Sequence, residues 1–328
     1  MAENLEPNLP AVGVPGSRES AVGWAYGGRM SIDKHLEPLT RRLAAALEPV
    51  AGQVYFAAEC HQNYEKLGFA PSPGTLDSGL QLPDGPAYFT SRGSVMGQVP
   101  GELVAAAFGV FNPEAVVRGV DHGWGLTDAA TICAARTEGG TAQLERILGP
   151  EPEGLARATE LLGRATSQLR PEGRPLYAGL LNLGLPGSPL GDMWRLADML
   201  REYRGDSHTA AWISNGFKAP EIGLLSELYW GLPLRTYVRT RAWSSAQLDV
   251  AEAHLREHEL IDDGGFTDFG RTVRENIEVA TDRQCTVIVR RLGDDFDELI
   301  ALLTPWGEAI RAAGGYPPKG PQDLAPPR

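Results

Sequence analysis

Cysteine is scarce in this sequence, and the cysteines that occur form no cluster. Cys60, Cys133 and Cys285 lie far apart and make no C-x-x-C pair. The sequence therefore predicts neither a disulfide framework nor a cysteine-rich zinc site. Such sparse cysteine is typical of a reducing compartment, and we expect a cytoplasmic protein.

Long apolar runs are missing as well. No stretch approaches the roughly 20 apolar residues that a helix needs to cross a bilayer. The N-terminus also lacks a basic start followed by an apolar segment. We therefore expect neither secretion nor a membrane partner.

Positive charge is in short supply. Lysine and arginine number 30 against 42 aspartates and glutamates, which gives a formal net charge of −12. Nucleic acids and anionic membranes both attract positive surface, so a general affinity for DNA is not expected. Small, neutral or cationic ligands remain compatible with this composition.

Familiar nucleotide-binding and catalytic motifs are absent too. The chain contains no P-loop, dinucleotide fingerprint, G-x-S-x-G elbow or kinase motif, so the sequence indicates no particular cofactor. His254 and His258 have the i, i+4 spacing of a zinc pair, but they lack a third ligand and have acidic neighbours. We predict no metal site.

The pattern that is present predicts a mainly α fold. Apolar residues recur at helical spacing between short Pro/Gly breaks, and few segments alternate as strands do. Residues 71–100 carry three turn signals that pair Gly with Pro, Asp or Arg, which predict a long loop of functional interest. Residues 1–34 and 315–328 are rich in turn-forming residues, and we expect both ends to be flexible.

Residues 243–283 have the pattern of the second half of a winged helix. Apolar spacing predicts a helix through Leu248 and Leu255, a Gly-Gly pair follows as a hairpin tip, and Thr267 caps the next helix. The face that would meet DNA is acidic, because carboxylates far outnumber arginines in this segment. Phosphate contacts need the opposite sign of charge.

The chain repeats itself at an offset of 153 residues. Residues 42–44 match 195–197, and residues 57–58 match 210–211 in the same register. We predict two related winged-helix-like halves with small β-hairpin wings and a helical linker. The alternative is that a helix-rich Ala/Leu/Arg sequence matches itself by chance. The predicted boundaries are 1–34 for a flexible extension, 35–149 for the degenerate N-terminal half, 150–188 for the linker, 189–314 for the C-terminal half and 315–328 for a flexible Pro-rich tail.

The two halves would create a pocket where they meet, since ligand sites concentrate at such interfaces. In the 153-residue register Tyr55 stands opposite His208. Gly205 and Asp206 suggest a break between two helices, which would place His208 in a first helical turn. There the helix dipole lowers the imidazole pKa and favours the neutral form. We predict His208 as a base or ligand donor, with Tyr55 as an acid; a histidine packed beside a helix cap is the alternative.

Other polar residues extend this candidate site. Glu59 follows Tyr55 at i, i+4 and would orient His208, unless it is simply solvated. The segment 88–97 mixes aromatics, hydroxyls and glycines, which suits closure over a small anionic or polar ligand, with Arg92 as the anion clamp. The predicted catalytic residues are His208, Glu59, Tyr55 and Asp206, and the predicted ligand-binding residues are Arg92, Phe89, Asn112 and Trp212. Asn112 also has the signature of a helix start.

Several stretches carry a family resemblance: residues 42–49, 55–59, 111–112, Trp124, 200–208 and 267–283, of which Arg-Gly-Asp-x-His at 204–208 is the most specific. From Thr40 to Gly315 the chain resembles a family of largely uncharacterised actinobacterial proteins labelled helix-turn-helix. The resemblance implies an all-helical protein with small winged-helix hairpins, and a C-terminal module similar to MarR-like winged helices. It implies no particular activity.

Three functions are compatible with these patterns. The first is a tandem winged-helix protein that binds a small molecule between its halves, extended to an acid/base enzyme of specialised metabolism. The alternative is a transcription regulator that contacts DNA through Arg235, Arg239 and Arg241, although these arginines suit an internal ion-pair network equally well. The third is a structural dimerisation module, so a homodimer remains open.

Overall fold

The computed structural model describes residues 34–76 and 78–321, and this part of the chain is mainly helical, as predicted. Its α-helices are α1 (Glu37–Gly52), α2 (Ala58–Lys66), α3 (Gly85–Gly93), α4 (Gly101–Phe108), α5 (Pro113–Trp124), α6 (Ala129–Leu148), α7 (Leu155–Thr166), α8 (Pro175–Leu183), α9 (Pro189–Ser214), α10 (Ala219–Tyr229), α11 (Ser245–Glu257), α12 (Asp268–Leu292) and α13 (Phe296–Ala312). Short 3-10 helices lie at Lys34–Leu36, Gln53–Tyr55, Ser94–Met96, Val238–Arg241 and Gly293–Asp295. The predicted extension at residues 1–34 lies outside the described part, apart from the backbone of Lys34.

Two short strands accompany these helices. β1 (Ile261–Asp262) and β2 (Gly265–Phe266) form an antiparallel hairpin, with Ile261 opposite Phe266. No helix in the described residues is both long enough and apolar enough to cross a membrane.

The predicted long loop at residues 71–100 is wrong in its second half, where α3 forms. Asp84 begins this helix: its side chain accepts a hydrogen bond from the backbone N of Ala87 at 3.0 Å, and Pro86 occupies the first turn. Aspartate, glycine and proline are common both in turns and at helix starts, so the sequence signal fitted either structure.

α9 is the central helix, and α1, α7, α8 and α12 pack against it. Trp194 illustrates the packing: its side chain is fully buried, and its Nε1 donates to the backbone O of Ala51 at 3.2 Å. A buried indole with a satisfied N–H combines a large apolar contact area with no unpaired polar group. α9 therefore contacts helices from both ends of the described chain, such as α1 and α12.

The predicted helix break at Gly205 and Asp206 is also wrong, because α9 runs unbroken from Pro189 to Ser214. Asp206 does cap a helix, but the helix is α8: its Oδ2 accepts a hydrogen bond from the backbone N of Tyr177 at 3.0 Å. His208 consequently lies well inside α9 and far along it from the first turn.

α10, α11, the β1–β2 hairpin and α12 form the winged helix that the sequence predicts. Ser244 caps α11, and the Thr267 hydroxyl accepts a hydrogen bond from the backbone N of Gly270 at 2.9 Å at the start of α12. The module has an apolar core of its own that includes Leu248, Leu255 and Ile261. We refer to residues 219–292 as the winged-helix module.

The ends of α2 and α9 share one hydrogen-bond pattern. The backbone N of Phe69 donates to the O of Tyr64, and the backbone N of Phe217 donates to the O of Trp212, both at 3.2 Å. A glycine with positive φ precedes each phenylalanine. The same pattern, common at helix ends, also follows α10 and α13, so it does not distinguish a duplication. The internal duplication and the proposed boundaries stay predictions. In the predicted N-terminal half, residues 125–128 connect α5 directly to α6 without a β-hairpin.

The beginning of the predicted flexible tail is packed against the helices. The Tyr316 ring meets Phe56 edge-on, with 5.7 Å between centroids, and its hydroxyl donates to Glu48 at 2.9 Å. A Cβ atom on Gly52 would lie 3.0 Å from the same ring, so the absence of a side chain there leaves room for the tyrosine. Residues 322–328 lie outside the described part.

Candidate functional site

A cavity of about 650 Å³ lies among α1, α9, α10 and α12. The 3-10 helix Val238–Arg241 and residues 311–321 complete its walls. Much of the wall is apolar, and includes Leu43, Leu200 and Ile222. The walls include residues from both predicted ranges, 35–149 and 189–314.

One face of α9 lines this cavity. Arg201, Arg204, Gly205 and His208 recur at i, i+3, i+4 and i+7, which places them on one side of an unbroken helix. Of these residues, only His208 was a predicted site residue, because a helix break at Gly205 would have interrupted the face. The same spacing was the signal that could have identified the two arginines.

The cavity wall is rich in arginine. Five arginines and two glutamates line it: Arg201, Arg204, Arg241, Arg274 and Arg311, with Glu48 and Glu278. The Nε of Arg274 is buried and makes no hydrogen bond within the described residues. The wall is thus locally cationic in a protein whose formal net charge is −12.

Both glutamates are already engaged by partners. Glu48 pairs with Arg201 at 3.1 Å and accepts a hydrogen bond from Tyr316. Glu278 pairs with Arg274 at 2.8 Å and with Arg204 at 3.0 Å, one on each oxygen. Burial would raise the pKa of Glu278, but the charges of Arg274, His208 and Arg204 lower it to about 2. Glu278 is therefore ionised, and an arginine already contacts each of its carboxylate oxygens.

Arg241 and Arg311 differ from the other three arginines. Arg241 stacks on Phe111 and Tyr237, with its guanidinium carbon 4.7 and 4.6 Å from the two ring centroids, and it donates to the Tyr237 hydroxyl. Arg311 lies over Tyr316 and donates to the backbone O of Pro317. Within residues 34–76 and 78–321, neither guanidinium has a carboxylate within 4.0 Å.

His208 presents a neutral imidazole to the cavity, with its side chain 25% exposed. Its Nδ1 lies 3.1 Å from the Thr281 hydroxyl, and Glu278 is 3.8 Å away. Burial lowers the pKa of His208 to about 4, because the charge of Glu278 does not compensate for it. We predicted a lowered pKa from a helix dipole; the direction agrees with the structure, but the physical cause is burial.

Tyr55 and Arg92 meet at Glu202, a residue that the sequence analysis missed. The Tyr55 hydroxyl donates to Glu202 Oε1 at 3.0 Å, and Arg92 donates to both carboxylate oxygens at 3.0 and 2.8 Å. Arg201 adds a contact at 2.9 Å. Burial would raise the pKa of Glu202, but the charges of Arg92 and Arg201 lower it to about 2. Burial also raises the pKa of Tyr55, so this cluster is an internal ion-pair network.

Asp206 lies one turn after Glu202 on α9, and its pKa is shifted in the opposite direction. Its side chain is buried, and burial raises its pKa to about 7 despite the hydrogen bond from Tyr177 N. It does not contact His208, whose partners are Thr281 and Glu278. Asp206, which the sequence predicts as a catalytic residue, therefore caps the start of α8.

The other predicted site residues lie outside the cavity wall. Glu59 pairs with Arg146 at 2.6 Å, so the structure does not bring it to His208. The predicted stripe with Tyr55 is also interrupted, because Tyr55 ends a 3-10 helix before α2 begins. Phe89 packs with three other aromatic rings, and Trp212 packs with Ile222 and Ile277. Asn112 caps α5 through the backbone N of Glu114 and donates to the O of Ala242.

The three arginines of the DNA-binding hypothesis have different surroundings. Arg235 pairs with Asp249 at 2.5 Å and with Glu252 at 2.7 Å, as the ion-pair alternative predicted. Arg241 lines the cavity, and Arg239 is exposed at the surface. Two of the three are thus committed to contacts within the protein.

Comparison with known proteins agrees with the architecture. A family model described as a helix-turn-helix family matches residues 40–317. The chain belongs to this helix-turn-helix family. No curated protein and no solved structure matches it significantly. In this family member, the described residues contain no group of three or more His, Cys, Asp or Glu side chains placed to hold a metal ion.

Proposed function

We propose that the protein binds a small organic anion with an apolar body in the cavity between α1, α9 and the winged-helix module. The observation that carries this proposal is the imbalance of partners in the cavity wall. Arg241 and Arg311 have no carboxylate partner among the described residues, whereas Glu48 and Glu278 are both engaged by arginines.

This imbalance favours an anion over a cation. Arg241 and Arg311 donate only to neutral oxygens, those of Tyr237 and Pro317, and a ligand carboxylate, sulfonate or phosphate would give them an anionic acceptor. A cationic ligand would have to displace an existing arginine from Glu48 or Glu278. The composition left small, neutral or cationic ligands open, but net charge describes the whole protein, and this cavity wall carries more arginines than carboxylates.

The size and polarity of the cavity fit a small molecule. Its volume of about 650 Å³ lies within the usual range for ligand pockets. Apolar side chains such as Leu43, Leu200 and Ile222 would contact the body of the ligand, where each buried methylene contributes roughly 0.8 kcal/mol.

Binding has more support than acid/base catalysis. A base with a pKa of about 4 is weak, and burial holds the pKa of His208 there. Its predicted partner Glu59 lies elsewhere, paired with Arg146. Regulation of transcription through direct DNA contacts also has less support, because Arg235 is held by Asp249 and Glu252.

Two fluorescent probes test the proposal. Anilinonaphthalene sulfonate has an apolar aromatic body and one negative charge, and phenylnaphthylamine has the same body without the charge. We expect saturable binding of one sulfonate per chain, at least about tenfold tighter than the amine, because hydrogen bonds to a charged group contribute roughly 1.5–3 kcal/mol. Fluorescence titration measures both affinities. Equal affinities, or no saturable binding of the sulfonate, would contradict the proposal.

Replacing Arg241 tests the assignment of the anion to this wall. Arg241→Gln is expected to weaken binding of the sulfonate roughly 10- to 100-fold, through the loss of a charged hydrogen-bond donor. Arg239→Gln is the matched control, since this exposed arginine lies in the same 3-10 helix and makes the same change in net charge. The Arg239 variant should bind the probe as the unmodified protein does. Equal losses in the two variants would show a diffuse effect of charge rather than a site.

A further inference from the structure

His208 carries a hydrogen-bond acceptor that has no partner within the described residues. The Thr281 hydroxyl donates its proton to the backbone O of Ile277 at 2.8 Å. It can therefore only accept from His208 Nδ1, 3.1 Å away, which places the imidazole proton on Nδ1. Nε2 is left with a free lone pair.

This lone pair is open to the cavity. His208 is a lining residue, and its Nε2 makes no hydrogen bond with a described residue. Protein atoms do not enclose Nε2 completely, so a ligand can reach it. Nε2 is thus an accessible acceptor in a wall that also carries five arginines.

The neighbours of His208 restrict what can donate to it. Arg204 and Arg274 lie close enough for their charges to act on the imidazole. Glu278, the nearest carboxylate, already holds both of these arginines on its two oxygens. A ligand ammonium at Nε2 would approach two cations without a free carboxylate to balance it, whereas a neutral hydroxyl donates without adding charge.

We propose that the ligand is a hydroxylated organic acid whose hydroxyl group donates a hydrogen bond to His208 Nε2. This inference rests on the proposed function, in which the acidic group of the same ligand is held by arginines of the cavity. His208 then acts as the specificity-determining residue. An analogue without the hydroxyl leaves Nε2 unpaired, and a site built around a hydrogen bond discriminates against such an analogue.

A series of naphthalene sulfonates tests this assignment with the unmodified protein. The series contains naphthalene sulfonate, its positional hydroxy isomers and the corresponding methoxy compounds, and competition with anilinonaphthalene sulfonate measures each affinity. At least one hydroxy isomer is expected to bind about tenfold tighter than the parent compound. Its methoxy counterpart keeps the oxygen but has no proton to donate, so it should bind no tighter than the parent.

Two variants of His208 locate the effect. His208→Phe keeps an aromatic ring and removes the acceptor. The hydroxy isomer and the parent compound should therefore bind this variant with about equal affinity. His208→Gln can place its amide oxygen near the position of Nε2, and it should retain part of the preference. A thermal melt of each variant checks that it is folded. The comparison of hydroxy with methoxy compounds uses the unmodified protein, so it tests the inference even if a variant fails to fold.

The possible outcomes separate this inference from the proposed function. If the parent sulfonate binds and no hydroxy isomer gains affinity, the role of His208 is wrong and anion binding stands. A gain shared by the methoxy compound, or kept in His208→Phe, would also overturn the assignment. If no sulfonate binds at all, both proposals fail.

Discussion

Glu202→Gln is expected to lower the free energy of unfolding by about 3–5 kcal/mol. Glutamine has the size of glutamate and keeps an acceptor oxygen, but it removes the charge that Arg92 and Arg201 face. The Glu202 and Arg92 side chains are only 2% and 13% exposed, so water cannot replace the lost ion pair. Urea unfolding at neutral pH measures the difference.

The pH dependence of this loss has a definite sign. The pKa of Glu202 is lowered from 4.5 to about 2, so the ionised side chain stabilises the fold above pH 4.5. That stabilisation disappears as the pH falls toward 2, and the gap between the unmodified protein and Glu202→Gln should narrow over this range. Glu160→Gln is the control, because Glu160 is 65% exposed in its pair with Arg157. This substitution should lower the free energy of unfolding by less than about 1 kcal/mol. Similar losses in both variants would contradict a buried ionised Glu202.

Asp206→Asn is expected to have the opposite effect and to stabilise the protein by roughly 2–4 kcal/mol above pH 7, since each unit of pKa shift corresponds to about 1.4 kcal/mol. Burial raises the pKa of Asp206 from 3.8 to about 7. Asparagine keeps an acceptor for the backbone N of Tyr177 and has no charge to bury. Unfolding experiments at a series of pH values measure the gain.

The sign for Asp206 follows from the proton that the folded state retains. Between pH 3.8 and about 7 the folded protein binds this proton more tightly than the unfolded chain does, so the contribution of Asp206 to stability falls as pH rises. The advantage of the variant should therefore vanish below pH 4. Asp192→Asn, at the exposed start of the same helix where it accepts from Gly187 N, should change stability by under about 0.5 kcal/mol. A destabilised Asp206→Asn would show that the carboxylate itself is required.

The winged-helix module was predictable because its signals are local. Ser244 and Thr267 cap helices within three residues of the groups that they bind, and the hairpin tip needs only the Gly-Gly pair. The ion pairs of Arg235 with Asp249 and Glu252 were predictable as the alternative to DNA contacts, since the three residues are near in sequence.

The errors arose where one local pattern fits two structures. Asp84 was assigned to a turn and begins α3, and Asp206 was assigned to the start of its own helix and caps α8. In both cases the aspartate caps a helix, because its carboxylate accepts a hydrogen bond from a backbone N–H in the first turn. For Asp206 the sequence cannot show which helix it caps, because the partner Tyr177 is 29 residues away.

Of the predicted site residues, only His208 lines the cavity. His208 does lie in a cavity between α1 and the winged-helix module. Arg274 and Arg311 of the same cavity wall, however, come from α12 and α13, and no periodicity within α9 indicates them. The predicted partner Glu59 has the right charge, but it lies on a face of α2 that pairs with α6 through Arg146.

The sequence by itself determined the mainly helical fold and the winged-helix module, since these depend on spacing and capping over a few residues. Only the tertiary structure decided the electrostatics. Glu202 and Asp206 are four residues apart on one helix, yet one is ionised by two arginines and the other is held toward neutrality by burial. A charge depends on what surrounds it in space, and packing alone places Arg241 and Arg311 in the wall of one cavity.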